Sequence, residues 1–261
     1  MFRTGRTLTE MDNPIRLHWL DPRNPHQHFP PVHLAMRDPN GLLAIGGDLS
    51  PVRLLRAYAQ GIFPWYNPDE PILWWCPDPR SVLLPDSLKV SRSYRKAIER
   101  ADYAVTLDLA FSEVVEACAG LRAKSRGTWL GQDMKRAYLE LHRGGHCHSV
   151  EVWRHGELIG GLYGVALGHS FFGESMFSRA DNGSKLALYW LCQQLWAWQF
   201  ALIDCQISSP HLLSLGAVEM PRDEFLRLQR PAADQPGRIG RWRFEINVPS
   251  DTLHLSRGAA A

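Results

Sequence analysis

The sequence predicts an α+β protein: a small, irregular N-terminal domain (1–87), a C-terminal domain (88–249) on a mixed, mostly antiparallel sheet, and a disordered tail (250–261). Two observations carry this. Thirteen of the eighteen prolines lie between Pro14 and Pro85, where they interrupt long regular elements. From Val90 the pattern changes to alternating elements, among them three strands in close succession.

In the N-terminal part the spacing predicts one helix, Pro51–Gln60, entered through Asp48–Leu49–Ser50, with Pro51 in its first turn and Gly61 ending it. Around it FPWY (Phe63–Tyr66) and ILWWCPDPR (Ile72–Arg80) concentrate tryptophan. Beyond Val90 the pattern predicts helix Arg92–Arg100, strand Tyr103–Leu107, and helices Ala110–Gly120 and Asp133–Leu141, the last ended by Gly144–Gly145. Strands His148–Arg154, Leu158–Ala166 and Ser170–Phe177 come next, with breaks at His155–Gly156 and Gly168 that suit an antiparallel meander. Helix Ser184–Trp198, strand Leu202–Gln206 and a short helix near Pro210–Leu215 follow. Pro231–Gly240 reads as a loop and Trp242–Val248 as a last strand.

Composition narrows the function. A formal charge of +2 argues against a wholesale nucleic-acid coat but leaves room for a local basic patch. No apolar run approaches the ~18 residues of a membrane span, and the N-terminus lacks the apolar core of a signal peptide. Cys76, Cys118, Cys147, Cys192 and Cys205 are odd in number and lack CxxC spacing; they read as the reduced, mostly buried thiols of a cytoplasmic protein. The run His142, His146, Cys147, His148 fits neither a zinc finger nor a helical HExxH site, and no metal or cofactor is called for.

Two strands carry polar residues where a core strand should be apolar. In HSFFGESMFS, alternation puts Phe172, Glu174 and Met176 on one face; in ALIDCQ it puts Leu202, Asp204 and Gln206 on another. Burying carboxylates and an amide in such company costs several kcal/mol unless they are paired or used. A self-satisfied polar network or a helix-capping Asp is the bland alternative. Cys205 alternates to the opposite face with no His nearby in sequence, and reads as core rather than as a thioester nucleophile. Leu162, Phe171, Met176 and Ile203 are candidate walls for an apolar side chain, although strict alternation cannot place all four on one surface. Lys89, Arg92, Arg95, Lys96 and Arg100 surround the helix predicted at Arg92–Arg100, with positions 92, 95/96 and 99/100 along one side, as a solvated face or as a phosphate grip.

The order of elements from Tyr103 resembles the GNAT-type N-acyltransferase fold. That resemblance implies that the fourth and fifth strands of the core splay apart and that reaction occurs in the gap, beside Glu174, Asp204 and Gln206. The turn Ser178–Lys185 has one glycine and an aspartate, a poor nest for the pyrophosphate of an acyl-CoA. GLLAIGGDLSP (Gly41–Pro51), GIFPWY (Gly61–Tyr66), PILWWCPDPR (Pro71–Arg80), GTW (Gly127–Trp129), HSVEVW (His148–Trp153), GGLYGVA (Gly160–Ala166), GESMFS (Gly173–Ser178) and LIDCQ (Leu202–Gln206) together resemble the leucyl/phenylalanyl-tRNA–protein transferase family. The likeness spans about Phe29 to Leu226. Cys76 stands where the family pattern has serine, and Gly183 where it has alanine.

The resemblance implies transfer of Leu or Phe from aminoacyl-tRNA to proteins with N-terminal Lys or Arg, which marks them for N-degron degradation, by an enzyme acting as a monomer. Glu174, Asp204 and Gln206 are the implied reacting groups. Gln206 can accept from the attacking amine, Asp204 orients that amide or relays a proton, and Glu174 holds an ammonium group. Trp65 and Trp129 are the implied platform for the tRNA's terminal adenosine, while Trp74 and Trp75 read as structural. Lys89, Arg92, Arg95 and Lys96 are the candidate tRNA contacts. A tRNA-binding adaptor on a dead acyltransferase fold, and a tRNA-dependent ligase of cell-wall peptides, are the alternatives.

Overall fold

The computed structural model describes residues 17–100, 102–123 and 130–250. Trp129, and the tail beyond Ser250, lie outside the described residues. The N-terminal part, expected to be irregular, contains a sheet. Strands β1 (His18–Leu20), β2 (Leu42–Gly46), β3 (Phe63–Pro64) and β4 (Leu73–Trp75) lie in the order β1-β2-β4-β3, with α1 (Pro51–Ala59) between β2 and β3. Strands of two to five residues are too short to show a period in sequence. Their proline, Pro64, sits on the edge strand β3, where a missing donor is tolerated. Helix α1 starts as its sequence dictates, with Ser50 Oγ accepting the Arg53 N–H and Pro51 in the first turn.

The larger sheet has the order β11-β5-β10-β9-β8-β7-β6. Its strands are β5 (Arg80–Leu83), β6 (Ala104–Leu107), β7 (Cys147–Arg154), β8 (Glu157–Leu167), β9 (Ser170–Ser178), β10 (Leu202–Gln206) and β11 (Val218–Met220). Strand β5 lies N-terminal to the boundary expected at residue 87, yet it pairs between β10 and β11. Only β9 and β10 are parallel; the other neighbours are antiparallel. A parallel pair needs a crossover, and α5 (Gly183–Ala197) supplies it. The remaining helices are α2 (Arg92–Arg100), α3 (Phe111–Ala123), α4 (Gln132–Arg143), α6 (Pro210–Ser214) and α7 (Arg222–Ala233).

The two faces of this sheet bury different cores. On one, Leu162, Phe171 and Ile203 pack with Leu186, Leu188, Leu191 and Leu195 of α5. On the other, Tyr163, Val165, Phe172 and Leu202 pack with Val114 of α3, Met134 and Tyr138 of α4 and Leu54 and Tyr58 of α1. That second core continues through Ala44 and Trp74 into the N-terminal sheet, so both parts of the chain share it. The N-terminus of α5 approaches β8 closely: a Cβ on Gly183 would lie 2.5 Å from the Ile159 carbonyl oxygen, which accounts for glycine at this position.

Two C-terminal readings need correction. Trp242–Val248 is no strand. Its backbone N–H groups go to side chains, Trp242 to Asp108 Oδ2 (2.7 Å) and Glu245 to Gln194 Oε1 (2.7 Å), so its alternating apolar residues reflect packing without a ladder. The loop expected from Pro231 begins only after Ala233, because Pro231 occupies the last turn of α7. The buried stripe of α7 is Phe225, Leu226, Gln229 and Ala232; its buried glutamine, which donates to the Tyr58 carbonyl (3.1 Å), breaks the apolar signal.

Candidate active site

The parallel ladder between β9 and β10 runs over Leu202↔Ser170, Ile203↔Phe171 and Asp204↔Phe172, and then stops. Both strands bulge at that point. In β9, Tyr163 faces Ser175 and Gly164 faces Gly173, leaving Glu174 unpaired. In β10, Asp204 faces Val82 and Gln206 faces Ser81, leaving Cys205 as the extra residue; Gln206 takes a left-handed φ of 60°. Bulges bend a strand and raise its twist. Beyond them lies a cavity of about 400 Å³, with Leu162, Phe171, Met176, Leu188, Leu191 and Ile203 as apolar wall and Glu174 and Gln206 as polar wall.

The bulges overturn the expected alternation. An extra residue at Glu174 shifts the parity of β9, so Phe172 and Met176 point to opposite faces. Leu162 pairs with Met176 and Ile203 with Phe171, so all four predicted wall residues line one cavity. Asp204 and Gln206 do not share a face either: Asp204 is fully buried and away from the cavity, whereas Cys205 and Gln206 both line it. The Cys205 thiol, placed here rather than on the far side, is pushed up to about 12 by burial and stays protonated.

Glu174 receives hydrogen bonds from Tyr58 Oη at Oε1 (2.7 Å), Tyr138 Oη at Oε2 (2.5 Å) and Gln206 Nε2 at Oε1 (3.3 Å). Burial raises its pKa to about 7; the two phenol hydrogen bonds and Arg80 oppose the rise, and Asp204 adds to it. Burial also holds both phenols protonated, as donors. Sequence reasoning missed Tyr58 and Tyr138. Each occupies a core position of its helix, and nothing local distinguishes such a tyrosine from a packing residue. With Gln206 Nε2 donating to Glu174, its carbonyl oxygen remains to accept a donor from a ligand.

Asp204 is taken up by Arg80. Arg80 Nε and Nη2 donate to Oδ1 (2.8 Å) and Oδ2 (2.6 Å), and Oδ1 also accepts the Gln206 backbone N–H (2.9 Å).

Trp65 stands at the lip of the cavity with 42% of its surface exposed, edge-on to Trp75 at 5.8 Å. Trp75 Nε1 donates to the Trp65 carbonyl (2.6 Å), and Trp74 is fully buried. Lys89, Arg92, Arg95 and Lys96 are all exposed. The Lys89 N–H donates to the Leu215 carbonyl (2.8 Å), tying this segment to α6, whose Leu212 lines the cavity. His142 stacks on Phe111 at 4.1 Å, and His148 bonds Asp108 (2.8 Å) and stacks on Trp242 at 3.7 Å. Among the described residues no three His, Cys, Asp or Glu side chains are grouped to hold a metal ion. At the start of α5 the N–H groups are used internally, Ser184 to Ser178 Oγ (2.7 Å) and Gly183 to the Ala180 carbonyl (3.1 Å), which leaves a poor phosphate cradle.

Comparison with known proteins bears on this site. The chain overlaps partially with a solved protein of unknown function from Bacteroides thetaiotaomicron (TM-score 0.35, 15% identity, 60% of this chain and 55% of that one). It overlaps similarly with L-PGS from Bacillus licheniformis (TM-score 0.34, 13% identity, 57% and 48%). Overlaps this limited carry no functional reading. Sequence relatives are far nearer. Leucyl/phenylalanyl-tRNA–protein transferases from Nitrosomonas europaea and Alkalilimnicola ehrlichii are 54% and 52% identical, over 85% and 92% of this chain and 94% and 93% of theirs. The family's N-terminal domain matches residues 47–78, and its main domain matches residues 82–230, more than half of the chain. This chain therefore belongs to the leucyl/phenylalanyl-tRNA–protein transferase family.

Proposed function

We propose that this protein transfers Leu or Phe from aminoacyl-tRNA to the α-amino group of proteins beginning with Lys or Arg, marking them for N-degron degradation. One observation carries the reading: β9 and β10 part beside an apolar cavity of about 400 Å³ whose polar wall is a carboxylate and an amide. That volume falls within the ~300–1,000 Å³ of small-ligand sites. The parting of two core strands at the site is the GNAT-like feature on which the proposal draws. The division into a small N-terminal unit and a catalytic unit near residue 87 belongs to the same reading.

The donor's side chain enters the apolar wall, and its terminal adenosine stacks on Trp65 and on Trp129. The ester is already activated towards amines, so alignment of amine and carbonyl supplies most of the acceleration. The acceptor α-ammonium, with a reference pKa of ~7.7–8.0, gives a proton to the Glu174 carboxylate. Gln206 Oε1 accepts an N–H of the neutral amine and aims its lone pair at the ester carbon. The C–N bond forms, the carbon–oxygen bond to the ribose breaks, and the nitrogen loses a proton while the ribose oxygen gains one. Asp204 holds Gln206 without touching the substrates. Lys89, Arg92, Arg95 and Lys96 grip phosphates, a sequence-independent contact suited to an acceptor end. The enzyme works in the cytoplasm as a monomer; no helix among the described residues is long and apolar enough to cross a membrane.

Transfer of radiolabelled leucine from Leu-tRNA to a peptide beginning with Arg, beside one beginning with Ala, tests the proposal. Selective labelling of the Arg peptide, lost in Gln206→Ala, is expected. Tight binding of Leu-tRNA with neither peptide labelled would replace it with the adaptor reading.

A further inference from the structure

We propose that Arg80 is a positioning residue for this transfer, acting on Gln206 through the Asp204 carboxylate and its hydrogen bond to the Gln206 backbone. The inference rests on the transferase reading of the cavity. Arg80 opens β5 and is fully buried, with its guanidinium over the rings of both Phe63 (4.8 Å) and Phe225 (4.6 Å). Those π faces, with the bidentate grip on Asp204, fix the fork in one orientation. Asp204 Oδ1, so held, accepts the N–H of Gln206, a non-glycine residue in a left-handed conformation that a chain adopts only where its surroundings impose it. The neighbour of Arg80, Ser81, is the residue that Gln206 faces across the ladder, so β5 fixes the bulge from both side chain and backbone. The bulge in turn directs Gln206 Nε2 to Glu174.

This geometry gives Asp204 no path for a proton from substrate. It is fully buried and lies away from the cavity. Arg80 has a second reach. Phe63, whose ring lies under it, adjoins Pro64 and Trp65 at the cavity lip, so a single guanidinium sets the N-terminal sheet against the reacting amide. A buried ion pair is weak evidence for stability, since an apolar pair of similar volume is often as good. Its use here is directional.

The test is steady-state transfer by the full chain from Leu-tRNA to an Arg-initial peptide, with melting temperatures, for wild type, Arg80→Lys, Arg80→Gln, Asp204→Asn and the double variant Arg80→Gln/Asp204→Asn. Arg80→Lys keeps the charge and loses the fork; kcat is expected to fall roughly 100-fold, the scale of a small misplacement, with KM for Leu-tRNA within about twofold. In the double variant two neutral amides can bond each other, and kcat is expected to recover at least about tenfold over Asp204→Asn alone. Wild-type kcat in Arg80→Lys, or a double variant no faster than Asp204→Asn as a proton relay demands, overturns the proposal. If Arg80→Gln fails to fold, the kcat-against-KM split in Arg80→Lys decides. A wild-type protein that labels no peptide overturns the transferase reading and this proposal with it, whereas the other outcomes leave that reading standing.

Discussion

On the proposed role of Glu174, the pH dependence of transfer follows from its burial. With a pKa of about 7, the carboxylate is roughly one-tenth ionised at pH 6, half at pH 7 and nine-tenths at pH 8. If the carboxylate takes the acceptor's proton, kcat/KM rises about tenfold per unit below pH 7 on this account. The acceptor must arrive as the ammonium to give that proton, so its titration, with a reference pKa of ~7.7–8.0, adds a falling limb above about pH 8. Glu174→Gln separates them. The variant keeps an acceptor oxygen for one tyrosine, loses the titration, and, needing an amine that is already neutral, should show a single limb rising with the amine's pKa at a much lower rate. Initial rates with radiolabelled Leu-tRNA over pH 5.5–8.5, at fixed ionic strength, measure both profiles. An unchanged two-limb profile in Glu174→Gln refutes the assignment, as does a wild-type profile that is flat from pH 6 to 7.

Three further outcomes are expected. Cys205→Ser should transfer within about threefold of wild type, since a thiol pushed up to about 12 supplies no thiolate; complete loss would point to a thioester. Charge reversal at Arg92 and Arg95 should raise KM for Leu-tRNA and leave that for the acceptor peptide unchanged, flattening the salt dependence by ~0.7–0.9 per lost phosphate contact. Buried Glu151, which accepts from Thr106 Oγ1 (2.5 Å) and from Ser149, has its pKa raised by burial to about 7. A raised carboxyl pKa stabilises the fold below its unfolded value near 4.5, and that stability is lost as pH rises through 7. Urea titrations from pH 5 to 8 should show wild type losing roughly 2–3 kcal/mol relative to Glu151→Gln, most of it below pH 7, at about 1.4 per unit between the unfolded and folded pKa values.

The legible parts of this chain were those with a sustained period. Leu188, Leu191 and Leu195 announce α5, the breaks at His155–Gly156 and Gly168 between β7, β8 and β9 announce the meander, and Ser50–Pro51 announces α1. The candidate site was legible as a location, because Glu174 and Gln206 are expensive residues to bury. Its internal arrangement was not. Alternation assumes a regular pleat, and one unpaired residue at Glu174 and another at Cys205 reverse the faces of everything beyond them. Long-range partners were equally hidden: Tyr58 and Arg80 reach the site from 116 and 124 residues away, and neither carries a local mark of its role. The N-terminal strands stayed invisible because two to five residues contain no period.

The apolar wall and the near-neutral carboxylate are two consequences of one cause. The enclosure proposed to take a leucyl side chain also withholds water from Glu174, and this desolvation is the largest influence on its pKa. Tyr58 and Tyr138 limit the rise, because each hydrogen bond favours the ionised form. Wetting the cavity should therefore change donor binding and proton affinity together. Leu162→Ser, at a residue 4% exposed and paired with Met176, replaces wall with a hydroxyl and admits water. It should weaken Leu-tRNA binding and move the acidic limb of the rate profile below pH 7, whereas volume-conserving Leu162→Met should do neither. Weakened binding with the limb still at pH 7 would show that Glu174 owes its pKa to its partners and not to the dryness of the wall.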